Sequence, residues 1–205
     1  MSEYSTFQEE LWAGTFGSEY IARNQGPEII ATNIALFSKI INNTKNVDSI
    51  IEFGCNIGLN LIALHELLPC ADIAGLEINE AAYKELTRLN FVKGYHGSAF
   101  NFKIDYQRDF SFTKGVLIHI NPELLPRMYD LLYASSRRYI CVCEYYNPSP
   151  VEIKYRGTDA ALFKRDFAGE LIEKFPDLSL VDYGFAYHMD NNWKADDITW
   201  FLLEK

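Results

Sequence analysis

Three observations predict an α/β sandwich on an open, mostly parallel sheet for these 205 residues. Short strand-like apolar runs alternate with helical stripes along most of the chain. Two glycines, Gly54 and Gly58, punctuate the turn that leaves the first run, and a carboxylate, Glu77, ends the second. In such sheets the crossovers are right-handed and ligands bind at the carboxyl ends of the strands.

Residues 7–24 read as a helical, aromatic-bearing lead-in broken near Gly14 and Gly17. Pro27 suits a first helical turn, and Ile29, Ile30, Ile34, Phe37, Ile40 and Ile41 form one apolar stripe to about residue 43. The first strand is expected over 49–53, followed by a helix over 58–68. The second covers 72–76, with Asn79 as N-cap of a helix over 80–89. A weak third strand at 91–95 leads to the loop Gly97-Ser98-Ala99-Phe100. The fourth strand is expected over 112–117, before a helix that starts at Asn121-Pro122 and runs to residue 136. The fifth, 139–144, is almost wholly apolar, as a strand covered on both faces must be. A Pro-containing loop, a helix over 160–175 and two strands over 179–188 and 198–203 complete the chain. The last two, joined by a polar turn, should pair antiparallel at one edge and bring the sheet to seven strands.

No linker, repeat or low-complexity tract interrupts this order, so one domain over 1–205 is expected: a helical cover at 1–44, a ligand-binding core at 45–145, and a substrate-side segment with the final hairpin at 146–205. The formal charge of −9 disfavours a nucleic-acid surface, which needs concentrated Lys and Arg. No apolar run approaches the ~18 residues of a membrane span, and the N-terminus lacks a leader pattern; a cytoplasmic location is expected. Cys55, Cys70, Cys141 and Cys143 form no CxxC pair and read as buried thiols, and no metal site is expected. Self-association into a homodimer is left open.

The informative segment is Glu52-Phe53-Gly54-Cys55-Asn56-Ile57-Gly58, completed by Glu77-Ile78-Asn79 after the second strand. Glycines at 54 and 58 allow a tight turn with backbone close to a ligand, and a carboxylate ending the second strand can accept both hydroxyls of a ribose. A dinucleotide fingerprint would want glycines at 54, 56 and 59, where Asn56 and Leu59 stand instead. Glu52 would also oppose a pyrophosphate.

Over residues 45–145 the pattern resembles the S-adenosylmethionine (SAM) motif of class I methyltransferases, an acidic residue followed by spaced glycines. Glu52, Gly54 and Gly58 match; Asn56 departs from the middle glycine, a tolerable change because Asn visits left-handed backbone readily. The resemblance implies a Rossmann-like methyltransferase sandwich with SAM as cofactor. Glu77 and Ile78 would then sit at the ribose, Ser98 and Ala99 at the adenine, and Lys114 and Gly115 where the fourth strand meets its loop. Most of the chain is also similar to a narrower group, the methyltransferases associated with pseudaminic acid biosynthesis. Leu11-Trp12-Ala13-Gly14, 113–122, Glu144-Tyr145-Tyr146-Asn147-Pro148, 151–157, 162–170 and 197–205 carry that likeness. It implies a small polar acceptor, a nonulosonic sugar or its nucleotide-activated form.

Candidate side chains follow from position. Tyr20, Arg23 and Asn24 on the covering helices would meet the methionine end of SAM. His119 and Glu144, after the fourth and fifth strands, are candidates to remove a proton from the acceptor hydroxyl or amine. Arg156, Lys164 and Arg165 could clamp an anion, with Tyr146, Tyr155 and His188 as further acceptor contacts. Each has a plainer alternative as core, cap or solvated surface. A nicotinamide-dependent oxidoreductase and a non-catalytic SAM-binding module are the rival functions, since fold does not fix function.

Overall fold

The computed structural model describes residues 4–155 and 158–205, with the side chains of all of these except 154, 155 and 158–161. Helices α1 (Phe7–Ala13), α2 (Thr15–Arg23) and α3 (Pro27–Ile41) precede the first strand, β1 (Ser49–Phe53). Then come α4 (Leu59–Leu67), β2 (Asp72–Glu77), α5 (Glu80–Leu86), β3 (Val92–His96), β4 (Arg108–Lys114), α6 (Leu125–Ser135) and β5 (Ser136–Glu144). The remainder is β6 (Val151–Tyr155), β7 (Thr158–Lys164), α7 (Phe167–Lys174), β8 (Ser179–Ala186) and β9 (Ile198–Glu204).

Seven strands form one sheet in the order β3-β2-β1-β4-β5-β9-β8, parallel except for β9, which runs antiparallel to both neighbours. Successive residues face opposite layers, so Ile50 packs with α3 and α4 through Phe37, Ile40 and Leu64. Ile51 packs with α6 and α7 through Met128, Leu132 and Leu171. Cys141 and Cys143 share the first of these faces, their sulfurs 3.7 Å apart. Strand order reverses between β1 and β4, and that gap opens the sheet's carboxyl edge.

Four local expectations need correction. The fourth strand begins at Arg108 and stops at Lys114 rather than spanning 112–117. Its buried polar residues disguise it: the Ser111 hydroxyl donates to Leu132 O at 2.9 Å and the Thr113 hydroxyl to Glu144 at 3.0 Å, so no apolar run marks the strand. Gly115, at φ +69°, turns the chain out of the sheet into a short 3₁₀ turn over Leu117–His119. Residues 158–164 are a strand, paired with β6 in a separate hairpin, and the helix starts only at Phe167, after Asp166 accepts from Gly169 N at 2.9 Å. The break in the lead-in falls at Gly14 alone, since Gly17 lies inside α2. Cys70 is exposed, while the other three cysteines are buried. Among the described residues no helix is long and apolar enough to cross a membrane, and no three His, Cys, Asp or Glu side chains converge as a metal site.

Candidate cofactor and acceptor site

A cavity of about 210 Å³ opens at the carboxyl edge, between the tips of β1, β2 and β4. Its first wall is the turn after β1. Gly54 adopts φ +77°, and a Cβ there would lie 2.6 Å from Val116 Cγ2, so only glycine lets the β1 and β4 loops approach. Asn56 takes the left-handed conformation at φ +50°. Gly58, at φ +85°, does not line the cavity; a Cβ there would meet Leu86 and Leu89 at 2.8 Å, so this glycine seats α4 against α5.

Glu77 ties that turn to the second strand. One carboxylate oxygen accepts from Asn56 N at 2.7 Å and the other from Asn79 N at 2.7 Å. A carboxylate has about four lone-pair sites, so both oxygens keep capacity to accept from a ligand in the cavity. Burial pushes the Glu77 carboxyl upward, and these backbone donors offset part of that rise. Ile78, Ser98 and Ala99 line the wall beside it, as do Lys114 and Gly115 across the gap.

The floor is polar and under-bonded. Glu52 is fully buried one layer below the cavity; Asn60 Nδ2 donates to its Oε1 at 2.6 Å, and its Oε2 has no partner. Burial raises its carboxyl to about 8 despite the Asn60 hydrogen bond and the charge of Lys114. Asn56 Oδ1 is also buried without a partner. Buried polar groups left open in this way are uncommon in native structures and point to a polar ligand. Asn33 of α3, almost fully buried, lines the same cavity.

The N-terminal helices form the roof. Asn79 Nδ2 donates to Trp12 O, Ala13 O and Gly14 O at 3.0–3.2 Å, pinning the α1–α2 corner, while its Oδ1 caps α5. Gly17 permits the fold-back: a Cβ there would sit 1.9 Å from Trp12 O. Ser98 donates to Glu9, and hydrogen bonds from Ser5, Ser98 and Thr6 outweigh the effect of burial to hold the Glu9 carboxyl below its ordinary value. The Trp12 ring lies 4.7 Å from that of His119, so the roof rests on the loop after β4.

No family model and no curated protein matches the sequence. Solved structures match nearly all of it. The plantazolicin methyltransferase BpumL in complex with S-adenosylhomocysteine (SAH) superposes at TM-score 0.68 with 15% identity, over 97% of this chain and 93% of that one. The magnesium protoporphyrin IX methyltransferase ChlM from Synechocystis PCC 6803, with bound SAH, gives 0.67 at 14% identity, covering 96% and 97%. The glycopeptide N-methyltransferase MtfA complexed with SAM gives 0.61 at 8% identity, covering 83% and 93%. The chain has the class I methyltransferase fold.

Within this methyltransferase fold, the expected site residues divide. Tyr20, Asn24, Asn56, Glu77 and His119 line the cavity together with the wall residues above. Arg23 does not; its guanidinium lies 5.7 Å from the Phe16 ring centroid and 5.9 Å from that of Tyr20. Glu144 lies under the β4 loop, accepting from Thr113 Oγ1 and Val116 N at 3.0 Å, Leu117 N at 3.1 Å and Ile118 N at 3.4 Å. Burial raises its carboxyl to about 7 against those donors. Three consecutive backbone donors on one carboxylate make it the anchor of the loop that carries His119. Glu144→Ala would leave them buried and unpaired, at ~1–3 kcal/mol each. We expect a loss of about 3 kcal/mol or more in urea unfolding, with faster hydrogen exchange confined first to residues 115–119.

Among the described residues, the expected acceptor contacts Tyr146, Lys164, Arg165 and His188 do not line the cavity. Arg165 pairs with Glu170 at 2.7 Å, Lys164 Nζ stands 5.2 Å over the Tyr145 ring, and His188 Nδ1 pairs with Asp197 at 2.8 Å. Tyr146 is exposed beside Phe201. The Tyr155 side chain and Arg156 lie outside the described residues. Trp12, Asn33, Asn60 and Asn79 were not among the expected site residues. Asn79 was visible only as a helix cap, and the Glu9–Ser98 contact joins residues too far apart in sequence for any local pattern to reveal it.

Proposed function

We propose that this chain is a SAM-dependent methyltransferase that transfers a methyl group to a hydroxyl or amine of a small polar molecule. The observation that carries the reading is Glu77: a buried carboxylate at the tip of β2, both oxygens oriented by backbone N–H groups, facing a cavity at the point where strand order reverses. The neighbouring folds with bound SAM or SAH support it. The residues fit an adenosyl amino acid. Glu77 would hold the ribose hydroxyls, Ser98 and Ala99 the adenine, Asn60 with Glu52 behind it the ammonium group, and Lys114 the carboxylate. Tyr20 and Asn24 would close over the same end. Asn56, whose Oδ1 has no partner, lines the cavity as an acceptor for such a ligand, while Glu52 behind Asn60 contributes a negative charge that suits an ammonium group and opposes a pyrophosphate.

When bound, SAM supplies an electrophilic methyl for in-line displacement. The chain's part is to align the acceptor, exclude water beneath Trp12, and take up one proton. His119 lines the cavity beneath Trp12 and is the group we assign to that proton; Glu144 is a positioning residue that holds its loop. Lys114 is the cation that lines the cavity among the described residues, so we favour an acceptor that is neutral at its reacting end, a sugar hydroxyl being the form the sequence likeness suggests. Calorimetry with SAM, SAH and NAD, then labelled SAM with a metabolite extract and mass identification of the product, tests the proposal. SAH binding with no NAD binding and a labelled product are expected; NAD binding or no labelled product counts against it. In the same assay His119→Ala should lower kcat by about 100-fold or more while leaving SAH affinity within about twofold.

A further inference from the structure

We propose that the outer edge of β8 is a twofold interface through which two copies of this chain join their sheets. β8 ends the sheet order, so among the described residues one side of its backbone has no strand partner. The face it shares with α6 and α7 is bare there: Tyr183 is 64% and Phe185 57% exposed, and Leu180, Tyr187, Met189 and Trp193 extend the apolar strip along the strand and its following turn. Register explains why. Leu180 and Tyr183 sit opposite Leu203 and Phe201, on the layer that α7 covers over β5 but not as far as β8. Gly184 and Ala186 sit opposite Trp200 and Ile198 on the other face.

Edge strands of monomers carry lysines, prolines or inward charges that block pairing. β8 has no lysine and no proline; its one register shift falls between Leu180 and Asp182 and leaves Tyr183–Ala186 regular, and its one charge, Asp182, faces the other layer, where Asn43 Nδ2 donates to it at 2.7 Å. In a chain of net charge −9, the face formed by Leu180, Tyr183, Phe185 and Tyr187 carries no charge, so two copies meet there without direct repulsion. The six half-exposed side chains present on the order of 600 Å² per copy, of which edge pairing covers the part beside the seam, so the contact is smaller than the ~800 Å² per partner of a standard interface and suits a weak, reversible dimer. Antiparallel pairing about a dyad is self-complementary and sets Tyr183 and Phe185 against the same residues of the second copy.

Analytical ultracentrifugation of the full chain over about 1–100 µM tests this independently of the catalytic reading. We expect a reversible dimer at tens of micromolar, and a dissociation constant at least a hundredfold higher for the double variant Tyr183→Lys, Phe185→Lys. Both side chains project from the folded monomer, so the variant's circular dichroism and thermal midpoint as a monomer should match those of diluted wild type. A second reading uses the wild type alone: amide exchange over residues 180–186 should quicken on dilution while that of β1 stays constant. A wild-type monomer at 100 µM, which would leave the strip to some other partner, overturns the proposal. So does a dimer that survives the double substitution or leaves β8 exchange unchanged.

Discussion

Glu52→Gln should stabilise the empty protein at pH 8 and weaken its hold on SAM. Burial lifts the Glu52 carboxyl from 4.5 to about 8, so between those values the folded chain keeps a proton that the unfolded chain releases. Stability therefore falls as pH rises through this window, by up to about 5 kcal/mol at ~1.4 kcal/mol per pH unit. Glutamine keeps an oxygen for Asn60 Nδ2 and cannot ionise, but it places an N–H pair where Oε2 now has no partner, at ~1–3 kcal/mol. The variant should match or fall slightly below wild type near pH 5 and exceed it by about 3 kcal/mol at pH 8, read from urea unfolding across the range. Burial also raises the Glu144 carboxyl to about 7, which adds a slope of the same sign and size up to that pH in both proteins, so the difference between them isolates Glu52. SAM binding should run the other way. An ammonium drawn to Glu52 favours the ionised carboxylate, so wild-type affinity rises with pH toward 8, and the variant loses both that slope and about tenfold in affinity. Equal pH slopes for the two proteins, in stability and in binding, would show that Glu52 is not the titrating group.

The same residue shows what sequence could convey. Glu52, Gly54, Asn56 and Glu77 lie within a few residues of one another or of a strand end, and their roles in the turn follow from backbone rules acting locally; the β1 and β2 boundaries were legible for the same reason. β4 was not, because Asp109, Ser111 and Thr113 are buried with partners supplied by Ser49, Leu132 and Glu144. A polar strand interior looks like surface until those partners are known. The β6–β7 hairpin escaped similarly, since Ala-Ala-Leu-Phe before Asp166 suits a helix as well as a strand and only pairing with Val151–Tyr155 decides. The basic residues at 164 and 165 follow the fifth strand in sequence, and the intervening hairpin does return them beside its carboxyl end, Lys164 over the Tyr145 ring and Arg165 bridged to Tyr146; what sequence order did not convey is that Arg165 is already paired there with Glu170 and that neither lines the cavity. Glu144 illustrates the converse: its position was legible, but the three N–H donors it accepts from a loop 26 to 28 residues earlier were not.

Substitution at Glu77 should give the largest loss of binding. Its carboxylate receives two backbone donors, which fix its rotamer, and the remaining lone pairs face the cavity where a ribose would present two hydroxyls. Charge-assisted hydrogen bonds are roughly twice as strong as neutral ones, so Glu77→Gln removes the charge from two contacts and replaces one acceptor by a donor that opposes a hydroxyl or a backbone N–H. We expect SAH affinity to fall at least a hundredfold, about 3 kcal/mol. Stability should fall too, by about 1–3 kcal/mol, because either Asn56 N or Asn79 N then faces an amide N–H. Glu77→Asp keeps the charge but withdraws it by one methylene, so the affinity loss should be smaller, about tenfold, with a comparable stability cost. Opposite stability changes at Glu52 and Glu77, with the same direction of change in binding, would separate a ligand site from a mere structural turn. If the two carboxylates only stitched β1 to β2, SAH affinity would be indifferent to both, whatever happened to unfolding.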